Sequence, residues 1–273
     1  MTRSGSGKPL PLFRLGPMDG VDSLSVFHAA AELGIECVII TSPATTFVSS
    51  GYFDNARSVL DLNAIAAGNI PVFRRRIGGG VVLLDANQVF YQVVLLRDNP
   101  MAPRVVKEAY LKFSRAPIRA FAQIGAPVEY RPINDLVVAE SGRKISGQGA
   151  GVVGDCFIFV GNILIDFDYQ LMADIIRLSD KKRESFVRLL ENNVSSLARE
   201  LERSPPKSDV EDILAKEFMA EFNTLVQTPP PEKLLERARK LSVYMTSEEF
   251  VFEESERQHN SIKVREGVYF QRD

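Results

Sequence analysis

The sequence is poor in cysteine, in net charge and in long apolar runs. Only two cysteines, Cys37 and Cys156, occur in 273 residues. A chain of this length buries a core without covalent cross-links, so a disulfide scaffold is excluded. The 33 basic and 35 acidic residues nearly cancel. No global positive field exists that would hold a nucleic acid backbone, so we expect no nucleic acid partner.

Hydrophobic segments long enough for a membrane are also missing. The longest apolar stretch, residues 151–165, contains Asp155 and Asn162 and is too short and too polar to span a bilayer. Residues 1–15 mix basic residues, glycines and prolines, without the continuous apolar core of a signal peptide. We therefore expect no membrane partner, no secretory leader and a cytoplasmic location.

The composition is that of a folded protein, with 45% hydrophobic and 25% charged residues, which excludes wholesale disorder. Apolar periodicity predicts helices over residues 19–32, 57–67, 105–125 and 208–226. β-branched and apolar runs predict strands over 36–40, 70–76, 81–85, 89–96, 129–131, 135–139 and 155–167. Because these do not alternate as regular βαβ units, they predict an α+β fold with a mixed, largely antiparallel sheet and flanking helices.

The two ends of the chain and one internal segment are interpreted separately. Residues 1–11 are expected to form a loosely docked terminus, and 143–151 a loop. Ser208 and Glu211 form a capping-box pattern at the start of the 208–226 helix. After the triple proline at 229–231, the pattern predicts a charged helix over 232–241 and strands over 249–253 and 261–270. We therefore expect a main domain over 1–228 and a short C-terminal appendage over 229–273.

The first motif that indicates chemistry is Arg74-Arg75-Arg76-Ile77-Gly78-Gly79-Gly80. Three consecutive glycines between two strands are costly in backbone entropy, and they are typical of a place where the backbone approaches a ligand closely. Neighbouring arginines can bind phosphate or carboxylate oxygens through two parallel hydrogen bonds. A glycine-rich hairpin with solvated arginines is the alternative. No Gly-Lys-Ser/Thr follows, so the segment is not a P-loop.

The second motif combines Asn134-Asp135 with Lys144-Ile145-Ser146-Gly147. Asn134 and Asp135 open an apolar strand, and Lys144 lies where the chain is expected to return beside it. A lysine stabilises developing negative charge, and an aspartate can hold magnesium through its oxygens. A solvated hairpin tip with ordinary polar residues is the alternative.

Taken together and in this order, the two motifs resemble those of the lipoate–protein ligase family. Further landmarks of that family are matched at residues 50–54, 161–168 and 193–197, and the resemblance covers about residues 20–227. It implies the biotin/lipoate ligase catalytic fold, which is similar to class II synthetases. It also makes residues 1–228 the catalytic domain and 229–273 an appendage or a minimal accessory domain.

The resemblance implies an ATP-dependent ligase. Such an enzyme activates lipoate or octanoate as acyl-AMP with MgATP, so that ATP, Mg²⁺ and lipoate or lipoyl-AMP are the expected ligands. It then transfers the acyl group to a lysine of a lipoyl carrier domain or an H-protein-like acceptor. Ligases of this kind need an accessory domain, which is fused to the chain or supplied as a separate chain.

The resemblance also assigns residues to these steps. Lys144 would bind the carboxylate and the acyl-adenylate, and Arg74 would contact the phosphate. Asn134 would lie near the ATP phosphates, and Asp135 would hold the magnesium ion. The catalytic residues would thus be Lys144, Arg74 and Asp135. The strand edge along the acyl chain and nucleotide would comprise Gly79, Gly80, Val81 and Val82.

The sequence departs from the family at two places, since Leu84 and Val160 stand where histidines are usual. His28 is interpreted as a helix-packing residue. Two alternatives remain: a transferase that takes octanoyl or lipoyl groups from a carrier without ATP, and a lipoyl-binding protein that has lost turnover. The transferase needs a thiol near the acyl carbonyl, and Cys156 is interpreted as a buried structural thiol.

Overall fold

The protein is described by a computed structural model that covers residues 9–253 and 261–272. Its strands, in chain order, are β1 (Leu10–Met18), β2 (Cys37–Pro43), β3 (Phe47–Ser50), β4 (Val72–Arg74), β5 (Val82–Leu84), β6 (Gln88–Leu96), β7 (Val128–Arg131), β8 (Asp135–Val138), β9 (Lys144–Val153), β10 (Cys156–Leu164), β11 (Leu225–Gln227), β12 (Ser261–Arg265) and β13 (Val268–Gln271). Its helices are α1 (Asp22–Glu32), α2 (Ala56–Val59), α3 (Leu62–Ala67), α4 (Val106–Phe113), α5 (Arg115–Ile124), α6 (Tyr169–Asp174), α7 (Asp180–Asn193), α8 (Leu197–Leu201), α9 (Lys207–Glu221), α10 (Glu232–Met245) and α11 (Glu248–Val251).

An eight-stranded sheet forms the centre, in the order β11-β1-β2-β6-β10-β9-β8-β7. The pairs β11–β1 and β1–β2 are parallel, and every pair from β2 to β7 is antiparallel. A smaller sheet has the order β4-β3-β5, and β12 and β13 form a two-stranded hairpin. The expected α+β fold with a mixed, largely antiparallel sheet is confirmed.

Helices cover both faces of the large sheet, because its central strands are apolar on both sides. On β2, Val38 and Ile40 pack in one core cluster with Phe113 and Phe218, from α4 and α9. The alternate residue Ile39 packs in a second cluster with side chains of α1 and α10. This division follows the two-residue period of a strand. A third cluster joins the small sheet to α2, α3, α6, α7 and the β12–β13 hairpin.

The expected loop over 143–151 is wrong, because these residues form most of β9. Glycines weaken a strand signal, yet here they allow a close neighbour. A Cβ built on Gly149 or Gly151 would lie 3.2 or 3.3 Å from the side chain of Ile77. The glycines of β9 therefore make room for the loop that precedes β5.

Several helix predictions also differ from the structure. The helix expected over 105–125 is two helices, and Pro117, which lacks a backbone N–H, lies in the first turn of the second. The 208–226 helix begins at Lys207 after Pro206 and has no side-chain cap, so the capping box at Ser208 is wrong. The strand expected over 249–253 is instead the short helix α11, whose first turn is capped by Ser247.

The expectation of a loosely docked terminus over residues 1–11 is wrong for the residues that the structure describes. Leu10 and Pro11 belong to β1, which lies between two parallel neighbours. The preceding residues 1–8 lie outside the described part of the chain. Among the described residues, each helix is either too short or too polar to cross a membrane.

The segment after the triple proline divides into two structural parts. Helix α10 packs on α1 in the second core cluster, and Ser242 Oγ lies 2.8 Å from Ser25 Oγ. Arg237 adds an ion pair with Glu32 at 2.6 Å. The β12–β13 hairpin forms its own sheet and contacts α7. A domain boundary at residue 228 stays a prediction.

Candidate active site

The site is built around an ion pair between the first residues of two neighbouring strands. Asp135 begins β8 and Lys144 begins β9, and these strands pair antiparallel. Lys144 Nζ lies 2.9 Å from Asp135 Oδ1; the carboxylate side chain is fully buried, and the lysine is 20% exposed. A buried carboxylate needs a charge partner, and Lys144 supplies it while its own side chain stays partly exposed.

The C-terminal hairpin and β9 supply further contacts of Asp135 and Asn134. The backbone N–H of Glu266 donates to Asp135 Oδ2 at 2.7 Å. Lys263 Nζ donates to Asn134 Oδ1 at 3.0 Å, and Asn134 Nδ2 donates to the Gln148 carbonyl at 2.7 Å. Both predicted residues of the Asn-Asp motif are therefore held between β9 and the hairpin.

Asp135 was also predicted to hold magnesium. Within the described ranges, no group of three or more His, Cys, Asp or Glu residues is placed to hold a metal ion. Magnesium is usually held by one or two carboxylates together with substrate phosphates. In this structure both oxygens of Asp135 are engaged, Oδ1 by Lys144 and Oδ2 by the Glu266 N–H, so its magnesium role stays a prediction.

A glycine of β9 makes room for the side chain of Lys144. A Cβ on Gly147 would lie 3.4 Å from Lys144 Nζ. The Gly147 N–H donates to Asn162 Oδ1 at 2.9 Å, and Asn162 Nδ2 donates to Gln88 Oε1 at 2.8 Å. The lysine therefore lies along a bare strand backbone that the neighbouring strands hold in place.

The glycine-rich loop is organised by Arg75, whose role the sequence did not indicate. Its guanidinium donates to the carbonyls of Gly80 at 2.7 Å, Gly78 at 3.2 Å and Ser49 at 3.1 Å. Burial lowers the pKa of Arg75 to about 10, which leaves it charged at neutral pH. A Cβ on Gly79 would lie 2.7 Å from this guanidinium, so close packing against Arg75 also requires a glycine there.

Arg74, a predicted phosphate contact, belongs to a separate network. Its guanidinium is buried and donates to the carbonyls of Tyr52 at 2.7 Å and Phe250 at 2.9 Å. It also pairs with the Glu253 carboxylate at 3.2 Å. The structure thus joins Asp135, Asn134 and Lys144 into one cluster, whereas these contacts of Arg74 tie β4 to the end of α11.

The predicted strand edge borders both open space and apolar packing. A Cβ on Gly80 would meet no atom within 4 Å, and Val82 is exposed. Val81 instead packs in the third core cluster, which also contains Ile262 and Val264 of the hairpin. The open side of this edge is the part available to a ligand.

A buried polar network under the site was not found from the sequence. Gln148 Nε2 donates to the Tyr91 hydroxyl at 2.9 Å, which lies 3.2 Å from Ser146 Oγ. Burial raises the pKa of Tyr91 to about 12, so the hydroxyl stays protonated at neutral pH. A Cβ on Gly161 would lie 2.3 Å from that hydroxyl oxygen. Polar residues inside apolar strands were the available signal, because buried polar groups are normally hydrogen-bonded.

Both thiols lie away from the ion pair. Cys37 and Cys156 are buried in the second core cluster, and burial raises both pKa values. The register places Cys156 opposite Val153, the last residue of β9, whereas Lys144 is the first residue of that strand. At about 3.3 Å per residue, the length of β9 separates them by roughly 30 Å.

His28 is a buried packing residue. Its Nε2 accepts the backbone N–H of Arg76 at 3.0 Å, and its Nδ1 lies 3.0 Å from the Leu24 carbonyl. Burial lowers its pKa to about 3, so the imidazole is neutral. The interpretation of His28 as a helix-packing residue agrees with this geometry.

Solved structures with the same architecture define the class of fold. A bipartite lipoate protein ligase from Thermoplasma acidophilum, studied with its E2 lipoyl domain, superposes with a TM-score of 0.76 at 17% identity, covering 90% of this chain and 96% of that one. A lipoate-protein ligase A bound with ATP superposes with a TM-score of 0.72 at 18% identity, covering 89% and 98%. At such identities the likeness shows the fold alone, which is the lipoate ligase catalytic fold.

Sequence comparison then identifies the family. The family model "Lipoyl protein ligase A/B catalytic domain" matches residues 25–219, and the chain belongs to this family. An octanoyltransferase LipM of Kyrpidia tusciae is 28% identical over 193 residues, covering 63% of this chain and 70% of that protein. A protein named as a probable lipoate-protein ligase A of Mycoplasma pneumoniae is 25% identical over 180 residues, covering 66% of this chain and 50% of its own length. The family resemblance is confirmed, and similar proteins include both ligases and octanoyltransferases.

Proposed function

We propose that the protein is an ATP-dependent ligase that activates lipoate or octanoate as acyl-AMP and transfers the acyl group to a lysine of a lipoyl carrier domain. The observation that carries this proposal is the Lys144–Asp135 ion pair, which holds a partly exposed lysine side chain at the start of β9. Gly147 on β9 makes room for the Lys144 side chain, and Gly80 on the loop borders open space.

In the first step, a carboxylate oxygen of the acid attacks the α-phosphorus of ATP. The new bond joins the acyl group to AMP, and the bond to the β-phosphate breaks, so that pyrophosphate leaves. Negative charge grows on the phosphate oxygens, and Lys144 neutralises it from a position fixed by Asp135. Magnesium would neutralise charge on the phosphates, with Asp135 as its protein contact.

In the second step, the neutral ε-amine of a carrier lysine attacks the acyl carbonyl. An amide bond forms, the bond between the carbonyl carbon and the phosphate oxygen breaks, and AMP leaves. Lys144 stabilises the oxyanion of this step as well, so one cation serves both half-reactions. The description of a structural neighbour with an E2 lipoyl domain supports such an acceptor.

ATP dependence is supported by the fold neighbour that binds ATP and by the position of the thiols. A transferase that passes the acyl group through a cysteine needs a thiolate near the acyl carbonyl. Cys156 lies at the far end of β9 from Lys144, and burial disfavours its thiolate. The octanoyltransferase relatives favour this second candidate, a transferase that works without ATP.

The test is acyl-AMP formation by the purified chain with MgATP and lipoate, octanoate or biotin. Lipoate- or octanoate-dependent acyl-AMP and pyrophosphate are expected, with a loss on the order of a hundredfold in Lys144→Ala because a charge-stabilising group is removed. Lys216→Ala, at an exposed position of α9, is the matched control. Transfer from an octanoylated carrier without ATP, together with no acyl-AMP from MgATP and the free acid, would establish the transferase. Binding of the acid without either reaction would leave a non-catalytic lipoyl-binding protein.

A further inference from the structure

The C-terminal hairpin brings a second lysine to the proposed active site. Lys263 lies on β12, and its Nζ donates to Asn134 Oδ1 at 3.0 Å. The next residue along the chain, Asp135, pairs with Lys144. The two lysines therefore approach adjacent residues of the same motif from different elements, one from the main sheet and the other from the chain's C-terminal end.

We propose that Lys263 is an acyl acceptor within the chain, so that the protein acylates its own C-terminal hairpin. This inference rests on the proposed function, because acyl-AMP made at Lys144 is the donor. It differs from that function in the acceptor, which is a lysine of this chain and not of a carrier domain.

The hairpin is held firmly enough to fix the position of this amine. The Glu266 N–H is bound to Asp135 at 2.7 Å, and Arg265 Nε donates to Asn193 Oδ1 at 2.8 Å. Ile262 and Val264, the residues on either side of Lys263, are buried in the third core cluster. Side chains alternate along a strand, so burial of these neighbours directs Lys263 to the opposite side, toward Asn134.

A carboxylate lies in contact with Lys263 and helps to fix the position of its nitrogen. Glu266 Oε2 is 2.6 Å from Lys263 Nζ, and the lysine side chain is 30% exposed. The hydrogen bond from Lys263 lowers the pKa of Glu266, so the two form an ion pair at neutral pH. These contacts hold the Lys263 nitrogen beside the Asn134-Asp135 motif, where Lys144 supplies a cation that can stabilise an oxyanion, and this is the geometry that acyl transfer to Lys263 requires.

The chemical step balances with these groups. One proton of the Lys263 ammonium passes to solvent, which leaves a neutral amine. The amine attacks the acyl carbonyl, a carbon–nitrogen bond forms, the bond from the carbonyl carbon to the AMP phosphate breaks, and the nitrogen releases a second proton to solvent. The products are an amide on Lys263 and free AMP, and no oxidant or further reactant takes part.

The experiment incubates the full chain with MgATP and octanoate in the absence of any carrier protein. Intact mass and peptide mapping are expected to show one octanoyl group, on Lys263, formed faster as the pH rises because the neutral amine is the nucleophile. The adduct should be absent in Lys263→Arg and in Lys144→Ala. It should persist in Lys216→Arg, which changes an exposed lysine of α9 in the same conservative way.

A parallel sample receives synthetic octanoyl-AMP in place of ATP and octanoate, and pyrophosphate is measured in the first sample. This separates the two proposals. Labelling of Lys263 from octanoyl-AMP without pyrophosphate release from ATP would remove the ligase proposal and keep this one. Acyl-AMP without an adduct on Lys263, or adducts spread equally over exposed lysines such as Lys216, would overturn the self-acylation proposal.

Discussion

Lys144 and Asp135 form an ion pair of unequal exposure at a distance of 2.9 Å, with the Asp135 side chain fully buried and the Lys144 side chain 20% exposed. Because of this difference in exposure, losing one partner has a different effect on each residue. Without Asp135, the ammonium of Lys144 can turn toward water. Without Lys144, the carboxylate keeps, within the described part of the chain, only the Glu266 N–H bound to Oδ2. The pair therefore couples folding to the orientation of the cation that we propose for both half-reactions.

The first prediction concerns the stability of this pair. Lys144→Met should destabilise the fold more than Asp135→Asn, by up to about 3 kcal/mol, because it leaves a buried carboxylate without its cation. Such an isolated carboxylate has a raised pKa. Its penalty is therefore present at neutral pH and relieved in acid, as the carboxylate becomes protonated. Urea unfolding of both variants at pH 7 and pH 5 measures the difference; equal losses at both pH values would contradict it.

The second prediction separates two adjacent glycines of the loop. Gly79→Ala should destabilise the fold, because Gly79 has φ of +109° and its Cβ would lie 2.7 Å from Arg75. Gly80→Ala should leave the melting temperature unchanged, because its Cβ would meet no atom within 4 Å. If substrate lies along this edge, Gly80→Ala raises the KM for the acid or ATP by about tenfold, or about 1.4 kcal/mol. An unchanged KM would remove Gly80 from the binding surface.

The third prediction is a pH dependence of stability that originates at His28. Burial lowers its pKa to about 3 in the folded protein, whereas an unfolded histidine titrates near 6.5. The unfolded chain therefore takes up a proton below pH 6.5 while the folded chain does not. The stability that His28 contributes is complete above pH 6.5 and declines as the pH falls toward 3, by on the order of 4 kcal/mol. NMR of the imidazole should show a neutral ring at pH 5, and His28→Gln should flatten the decline.

The sequence predicts the family of this protein better than its tertiary contacts. Asn134, Asp135 and Lys144, which the structure brings together, belong to motifs whose residue types and order carry that signal, whereas Arg74 lies in a separate network. The contact of Glu266 with Asp135 has no such signal, because 131 residues separate the two positions and neither has an unusual neighbour. Long-range packing of this kind depends on the whole fold.

The glycines show the same limit of sequence-based prediction, because their role depends on long-range packing. The glycines of β9 weaken the strand signal over residues 143–151, but in the structure they make room for the Ile77 side chain. The triple glycine predicts a close approach of the backbone to a ligand. The structure shows a second cause, because the buried Arg75 guanidinium binds the Gly80 carbonyl and leaves no room for a Cβ on Gly79. A sequence records that a side chain is absent, but it does not record what occupies the space.

The fourth prediction divides the C-terminal segment by truncation. Ending the chain after Pro231 removes α10, whose Leu234, Leu241 and Met245 are almost fully buried against the second core cluster. At about 1.5–3 kcal/mol for each buried apolar side chain, this loss should unfold the protein. Ending it after Glu253 keeps α10, α11 and the Arg74–Glu253 ion pair and removes the hairpin, which forms its own sheet and makes no ladder with the main sheet in the described residues.

The shorter truncation should therefore stay folded, with a lower melting temperature because Ile262 and Val264 no longer cover the third cluster. Acyl-AMP formation then determines the role of the hairpin. Because Asp135 loses the Glu266 N–H and Asn134 loses Lys263, we expect the rate to fall at least tenfold, as for a minimal accessory element. Circular dichroism and pyrophosphate release on the same samples provide the measurement. A folded truncated chain that forms acyl-AMP at the full rate would restrict the hairpin to a structural role.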